Sequence, residues 1–423
     1  MRYFQWLIAT ALASFYVLAL FADRAAGVIY GIIIALGLAA LIFQWKSNSV
    51  LLGGLMRRYW PLALAMAAPM FAIIANELSR GQFSGRNIDG PSRLAMFALA
   101  FWAISLVPLT HLRKLQWAFI AGTFLSALKI YRLTHGGEIR YLTDFIPITI
   151  FIEMGLLLGV FALLSISWNS RQEKSLILLK LLAAVAILYG SYLSQSRGAW
   201  ITIPIFFGIA LVANKSMRAG RKLALLSVAT LVLLVGVGHA KLVKERIYEA
   251  QTDIQQFIDR TNVDTSIGIR FQIWQGSVVI FKEHPVFGVG VDRYRDALGD
   301  LAERKIISPT TSTFAHSHNE FLFNAARLGL FGLAALLALY LVPAYYFVRD
   351  LRHTDREVRS VACMGLSLIT GIFILGLTDV VFLWWEVFPF YAVSIATFIV
   401  YMDKRKGAAG SSGQGSGTLS PVR

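Results

Sequence analysis

Long apolar stretches separated by short polar connections run along most of this chain of 423 residues. Each is about 17–25 residues long, enough for a helix to cross the ~30 Å hydrocarbon core of a bilayer. The pattern predicts an all-α polytopic membrane protein. About twelve transmembrane helices are expected, near residues 5–21, 26–43, 59–76, 93–109, 115–131, 146–166, 176–194, 199–213, 223–240, 320–348, 358–378 and 382–401.

Composition agrees with this interpretation. Only 15% of the residues are charged and 57% are hydrophobic, whereas soluble domains carry roughly a quarter charged residues. The net charge of +16 would favour nucleic-acid binding in a soluble chain, but in a membrane chain lipid surfaces account for it, so no nucleic-acid partner is expected. The single cysteine, Cys363, excludes a disulfide framework and a thiolate metal cluster.

The distribution of basic residues predicts the orientation. If the N-terminus is cytoplasmic, the inner loops carry clusters of lysine and arginine, as the positive-inside rule requires, and the C-terminus is cytoplasmic too. Nine helices then fall in residues 1–240, one long outer loop in 241–317 and three helices in 318–403, before a tail at 404–423. The outer loop is expected to contain an amphipathic helix over 243–258 and a second helix from Ile269 to Lys282. The Gly/Ser-rich tail is expected to be disordered from Gly407.

Arginine is unexpectedly frequent in the outer connections. Its planar fork binds phosphate or carboxylate oxygens with two parallel hydrogen bonds, although snorkelling onto lipid phosphates is an equal alternative for any one of them. Arg197 lies in a hinge between two apolar helices, and Arg270 opens the second loop helix, so the two together could clamp a diphosphate. The other outer arginines include Arg80, Arg86, Arg93, Arg132 and Arg140.

The segment from His316 to Glu320 lies where the outer loop enters an apolar helix. Ser317 and Glu320 fit a capping box, which would place His318 in the first helical turn. There the helix dipole disfavours the imidazolium, and the neutral form is the one that a general base needs. A structural histidine is the commoner alternative at such a position.

On a regular helix, His318, Ala325, Gly329 and Gly332 would share one face within about 60°. The small residues would let a neighbouring helix approach and hold the histidine, although packing alone also explains them. A metal site at His316 and His318 is not expected, because residues two apart converge only in an extended segment and no further ligands accompany them.

Acidic residues are also predicted near the outer half of the membrane. Asp379, between the last two helices, could orient a histidine or an arginine. Glu153 and Glu386 lie at similar depth, and all three could instead neutralise nearby cations such as Lys129.

The sequence His318-Asn319, followed by nine residues and then Gly329-Leu330-Phe331-Gly332, resembles the His-Asn, x9, Gly-x-x-Gly motif of bacterial O-antigen ligases. The Ser196-Arg197-Gly198 hinge, Arg270 with Trp274, and the segment from Pro285 to Gly290 match in the expected order. The resemblance covers about residues 190–335 at the level of motifs. It is specific for a superfamily that also includes O-antigen polymerases and protein O-oligosaccharyltransferases.

The resemblance implies a glycosyltransferase that moves a polysaccharide from undecaprenyl diphosphate to a sugar hydroxyl of lipid A–core. Transfer would invert the anomeric centre without a metal or other cofactor, at the periplasmic face of the inner membrane. His318 would be the general base, and Arg197 and Arg270 would bind the diphosphate. Asn319, Arg86, Arg140, Asp379 and His316 are possible supporting residues, and Gly329 and Gly332 the structural ones.

Two alternatives remain open at this stage. An O-antigen polymerase, or a protein O-oligosaccharyltransferase, would use the same donor with another acceptor. An exporter of anionic glycolipids would also need outer arginines, but it would move its substrate without making a glycosidic bond.

Overall fold

The computed structural model describes residues 1–139, 144–168, 174–196, 198–215 and 241–414, together with 218, 220–222, 225 and 227. Helices dominate the described chain. The first ten α-helices are α1 (Arg2–Leu18), α2 (Ala25–Phe43), α3 (Trp45–Ser79), α4 (Gly85–Ala95), α5 (Phe97–Ser105), α6 (Leu109–Leu112), α7 (Leu115–Leu133), α8 (Ile148–Leu164), α9 (Lys174–Leu193) and α10 (Thr202–Ala213). The later ones are α11 (Lys241–Ile258), α12 (Ser266–Glu283), α13 (Tyr294–Glu303), α14 (Glu320–Asp350), α15 (Arg356–Gly376) and α16 (Val387–Gln414).

The all-α polytopic fold is confirmed, but a count of twelve spans is not. Within the described residues, seven helices are long and apolar enough to cross a membrane, or up to eight if a bent pair counts as one span. The predicted span at 223–240 lies almost wholly outside the described residues. Helices α1 and α10 are apolar but have only 17 and 12 residues.

The span predicted at 93–109 is helical over most of its length but is bent at its end. The chain forms the short helices α4 and α5 there, and the pair Gly85–Ser105 and Leu109–Leu133 is bent by 107°. Pro108 explains the break before α6, because proline lacks the amide hydrogen that a continuing helix needs. Helix α3 is longer than predicted, with 35 residues and a kink at Tyr59, two residues before Pro61.

The bundle core is apolar and aromatic. Helices α7, α8 and α9 pack against one another, and α15 packs against α8, α10, α14 and α16. Side chains of α16 such as Phe390, Tyr391 and Phe398 are almost completely buried, so this helix lies at the centre of the bundle. Because lipid tails are as apolar as these side chains, the hydrophobic effect does not drive membrane helices together. The burial of the α16 side chains therefore reflects close packing between helices.

Residues 241–317, the predicted outer loop, form a small helical layer with its own core. Helix α11 spans the predicted amphipathic segment, and α12 confirms the second predicted helix with slightly wider bounds. Ile273, Tyr294 and Leu298 form part of a hydrophobic cluster that also includes Phe323 of α14. The layer therefore packs directly on the helix that follows the histidines.

The last helix extends beyond Gly407, where the disordered tail was predicted to begin. Helix α16 continues to Gln414, because the segment after Met402 contains no proline and extends a helix already formed. The last residues, 415–423, lie outside the described residues.

Candidate active site

The histidine segment ends in a helix cap different from the one predicted. Asn319, not Ser317, is the N-cap of α14, and its side-chain oxygen accepts hydrogen bonds from Phe321 N at 3.1 Å and Leu322 N at 3.0 Å. Ser317 Oγ instead donates to Asn319 O at 2.6 Å. His318 therefore precedes the helix, with a left-handed φ of 50°, and the prediction that it lies in the first helical turn is wrong. Local hydrogen bonding by serine and asparagine competes with helix formation, which explains the shift.

Glu320 has another role than closing the cap. Its carboxylate accepts hydrogen bonds from Val381 N at 2.5 Å and Phe382 N at 2.9 Å, in the connection between α15 and α16. Asn324 Nδ2 also donates to it at 2.8 Å. The carboxylate therefore ties the start of α14 to the segment that follows Asp379.

Two histidines and one acid form a cluster. The ligand-type atoms of His316, His318 and Asp379 all lie within 4.8 Å of one another. The imidazole rings are 4.4 Å apart between centroids and nearly perpendicular. The backbone N–H of His318 donates to His316 Nδ1 at 3.3 Å, so the proton of a neutral His316 must be on Nε2.

Asp379 is held by two hydrogen bonds. Its Oδ2 accepts from Thr149 Oγ1 at 3.1 Å and its Oδ1 from Val380 N at 2.8 Å. The prediction that Asp379 could orient a histidine matches its position, but the contribution of Thr149 on α8 was not predicted. No local sequence pattern brings these two residues together.

The cluster favours neutral histidines. Partial burial, together with charge on His316 and Arg270, lowers the pKa of His318 to about 4, and the charge of Asp379 opposes this lowering. Burial also lowers the pKa of His316, again opposed by Asp379. A neutral His318 was predicted from the helix dipole, whereas the main physical cause is desolvation.

The set of two imidazoles and a carboxylate has the composition of a zinc site, and the sequence missed Asp379 as its third member. A tetrahedral zinc ion would need its ligand atoms about 3.3 Å apart, given bonds of about 2.0–2.1 Å. Separations of up to 4.8 Å are looser than this. As described, the cluster is therefore better suited to proton transfer than to metal coordination.

Helix α12 contacts and supports the histidine segment. Trp274 Nε1 donates to Ser317 O at 2.9 Å, and Phe271 stacks edge-on against Trp274 at 6.0 Å. Arg270, one turn earlier on the same helix, is exposed and close enough to His318 to affect its pKa. Trp274 thus fixes the position of the loop, and Arg270 supplies a cation beside it.

Two predicted arginines, Arg197 and Arg140, lie outside the described residues. The hinge around position 197 is described on both sides. A Cβ on Gly198 would lie 3.6 Å from Thr378 Oγ1, so the hinge contacts the residue directly before Asp379. Ser196 N donates to Ser194 Oγ at 3.1 Å, which turns the chain after α9.

The glycine motif breaks α14 instead of forming one helical face. Gly329 has φ 62° and ψ −150°, a conformation essentially restricted to glycine. Val289 N and Gly290 N donate to Ala326 O and Arg327 O at 3.0 and 2.9 Å. The element that fills the break is thus the 285–291 segment and not a neighbouring helix.

Close backbone contact explains the glycines on both sides. A Cβ on Gly329 would lie 2.4 Å from Val286 O, and one on Gly288 would lie 2.3 Å from the Arg327 carbonyl carbon. Gly332 is crowded by its own helix, since its Cβ would lie 2.3 Å from Leu328 Cβ. The glycine motif of α14 and the segment from Pro285 to Gly290 therefore pack backbone against backbone, and together they form one structural joint.

A cavity of about 540 Å³ lies beside the histidine segment. Its lining combines polar and apolar groups. Arg86 lines it, but His318 does not. Its polar lining comprises Arg86, Asn87, Asp292, Glu320, Asn324 and Arg327.

Comparison with known proteins points to one family. Residues 182–337 match the family model described as O-Antigen ligase. The chain is 25% identical over 255 residues to an O-antigen ligase of Escherichia coli strain K12. These matches support the O-antigen ligase superfamily. An uncharacterized protein of Haemophilus influenzae is 27% identical over 300 residues, which cover 68% of this chain and 73% of that protein.

The match to the O-antigen ligase superfamily covers the hinge, α12, the histidine segment and the joint at Gly329. Asp379 and Arg86 lie outside the matched residues. The aligned region spans 59% of this chain and only 57% of the Escherichia coli protein. An O-antigen ligase family suggests a glycosyltransferase-type enzyme.

Proposed function

We propose that this protein is an O-antigen ligase that transfers polysaccharide from undecaprenyl diphosphate to a sugar hydroxyl of lipid A–core. The observation that carries the proposal is the cluster of neutral His318 with His316 and Asp379, next to the cation of Arg270. A base, its orienting carboxylate and an anion-binding arginine are the groups that such a transfer needs.

In the proposed reaction, His318 accepts the proton of the acceptor hydroxyl as its oxygen forms a bond with the anomeric carbon of the donor. The bond from that carbon to the diphosphate oxygen breaks, and the diphosphate leaves with the electron pair. Arg270 and Arg197 would stabilise the charge on the leaving group. Attack from the opposite face inverts the anomeric centre.

The low pKa of His318 has a consequence for this step. A base with a pKa of about 4 is weak, although it is almost entirely deprotonated at neutral pH. Because Arg270 contributes to the lowering, an anionic diphosphate bound at Arg270 would offset its charge and raise the pKa of His318. Donor binding would therefore strengthen the base before the acceptor arrives.

The proposed location is the bacterial inner membrane, with both termini cytoplasmic and the histidine cluster at the periplasmic face. The basic inner loops support this orientation. In addition, a groove of about 540 Å³ between α3 and α14 is lined almost entirely by apolar residues, including Leu64, Phe71 and Phe331. Such a groove suits the prenyl chain of the donor.

The first test is His318→Ala in a reconstituted transfer assay, with His111→Ala as a control distant in sequence. The His318 variant should fold and bind donor but fail to transfer polysaccharide. Full activity would refute the proposal. The control should keep wild-type activity.

The second test distinguishes the alternatives by acceptor choice. Purified lipid A–core and a second undecaprenyl-linked repeat are supplied in parallel, each with and without chelator. Extension of lipid A–core alone supports a ligase, and extension of the undecaprenyl-linked repeat identifies a polymerase. Translocation without a new glycosidic bond would identify an exporter.

A further inference from the structure

A second cavity lies at the end of the bundle opposite the histidines. Its volume is about 610 Å³, and it opens between the last residues of α8 and α10 and the first residues of α15. Helix α15 has 21 residues, about 30 Å, and its other end leads to Asp379. The two sites are therefore separated by roughly the thickness of the hydrocarbon core.

The cavity is lined by three cations and no acid. Lys215, Arg356 and Arg359 lie in its wall. None of the three forms an ion pair with another described residue. Like charges gathered in a concave wall raise the local concentration of anions.

The acids nearest in sequence are already paired. Arg113 holds Glu357 at 2.7 Å, and Arg405 contacts both Glu357 and Asp355, at 3.4 and 2.9 Å. The side chain of Asp355 also caps α15, because its Oδ1 accepts a hydrogen bond from Glu357 N at 2.8 Å. These carboxylates are thus occupied on the other side of the helix and leave the charge of the cavity uncompensated.

Arg359 is positioned for a ligand. Its Nη1 donates to the carbonyl oxygens of His353 and Thr354, at 2.7 and 2.8 Å. Among the described residues, nothing accepts a hydrogen bond from its Nε or Nη2. The guanidinium is therefore fixed by one nitrogen, and the remaining donors can bind an oxyanion.

Apolar groups form much of the remaining wall, beside the polar side chains of Ser167, Asn214 and Ser360. Leu163, Leu164 and Ile166 come from the end of α8 and the turn after it, and Ala210 and Ala213 come from α10. A soluble anion would gain nothing from these groups. A lipid would place its phosphate on the cations and its acyl chain along the apolar wall.

We propose that this cavity binds the headgroup of an acidic phospholipid such as phosphatidylglycerol. The bound lipid would join α8, α10 and α15 at one end of the bundle. At their opposite ends, α10 begins after the 194–198 hinge and α15 leads to Asp379. Lipid binding would thereby stabilise the mutual position of the elements that form the candidate active site.

The test uses the full chain in detergent, titrated with short-chain phosphatidylglycerol. Binding is followed by native mass spectrometry and by the midpoint of thermal unfolding. The triple variant Lys215→Gln, Arg356→Gln, Arg359→Gln should bind about 100-fold more weakly at low salt, because each basic residue contributes about fivefold. Uncharged Ala210→Phe, which narrows the apolar wall, should also weaken binding.

The matched control removes three exposed cations that do not line the cavity, in Lys46→Gln, Arg57→Gln, Arg352→Gln. It should bind phosphatidylglycerol like the wild type. Equal weakening in the control would overturn the proposal, because it would indicate a general effect of charge. Equal affinity for phosphatidylethanolamine, or an equal thermal shift with glycerol phosphate, would also overturn it.

Discussion

Asn319 Nδ2 donates a hydrogen bond to Leu377 O at 3.1 Å, while its side-chain oxygen caps α14. One side chain thus joins the residue next to His318 to the residue two positions before Asp379. His318 and Asp379 lie in different connections, one directly before α14 and the other after α15, and this hydrogen bond links the two backbones. The asparagine of the histidine motif therefore has a structural explanation.

Substitutions at Asn319 should separate its two roles. Asn319→Ser retains a good N-cap residue but is too short to reach Leu377, so stability should change little while transfer activity falls. Asn319→Ala loses the cap as well and should cost about 1 kcal/mol of stability. Thermal unfolding and transfer rates measured on both variants check this. Equal activity of the serine variant and the wild type would contradict the role of the Leu377 contact.

The pH dependence of transfer should change in opposite directions in two variants. With a pKa of about 4, His318 is almost entirely neutral from pH 5 to pH 8, so the acidic limb of kcat/KM should lie below pH 5. Asp379→Asn removes a charge that raises this pKa and should move the limb to lower pH. Arg270→Gln removes a charge that lowers it and should move the limb to higher pH. Shifts in the same direction would contradict the electrostatic assignment.

The same pKa predicts how His318 affects stability. Its pKa in the folded chain lies below the ordinary value of 6.5, so the unfolded chain binds the proton more tightly. Stability should therefore decrease as the pH falls from about 6.5 towards 4. The thermal midpoint of the wild type, compared with that of His318→Asn, should decline more steeply over this range. Parallel declines would indicate that other groups dominate.

Gly329→Ala should destabilise the joint. The backbone conformation is essentially limited to glycine, and a strain of this kind costs about 1–3 kcal/mol, to which the contact with Val286 O adds. Gly53→Ala is the matched control, because nothing lies within 4 Å of the added Cβ. The control should be neutral or slightly stabilising in thermal unfolding. A Gly329 variant as stable as the control would show that the break is not required.

Trp274→Phe tests the support of the histidine segment. Phenylalanine keeps the aromatic contact with Phe271 but loses the 2.9 Å hydrogen bond to Ser317 O, so the segment should become less ordered. Transfer should fall several-fold with a small loss of stability. The exposed Trp117 offers a control, and Trp117→Phe should leave transfer unchanged.

The length of the apolar segments alone predicted the polytopic fold, since a run of about 20 apolar residues has few stable structures other than a membrane-spanning helix. It could not predict the 107° break between α5 and α7, because a proline permits a bend without setting its angle. Residue chemistry singled out His318 and Asp379. Their contact depends on the packing of α14 against α15, which a single sequence does not specify. The cap at Asn319 was misassigned because serine and asparagine are comparable cap residues.

The break at Gly329 divides α14 into two helical parts. The short N-terminal part of α14 runs from the Asn319 cap to Gly329. It is held at both ends, by the hydrogen bond to Leu377 and by the hydrogen bonds to the 285–291 segment. If this interval were one residue shorter, Gly329 would be rotated by about 100° around the helix axis and shifted by about 1.5 Å along it. It would then lie away from its hydrogen-bond partners in the 285–291 segment. The nine-residue interval of the motif thus sets the distance between the Asn319 cap and the Gly329 break.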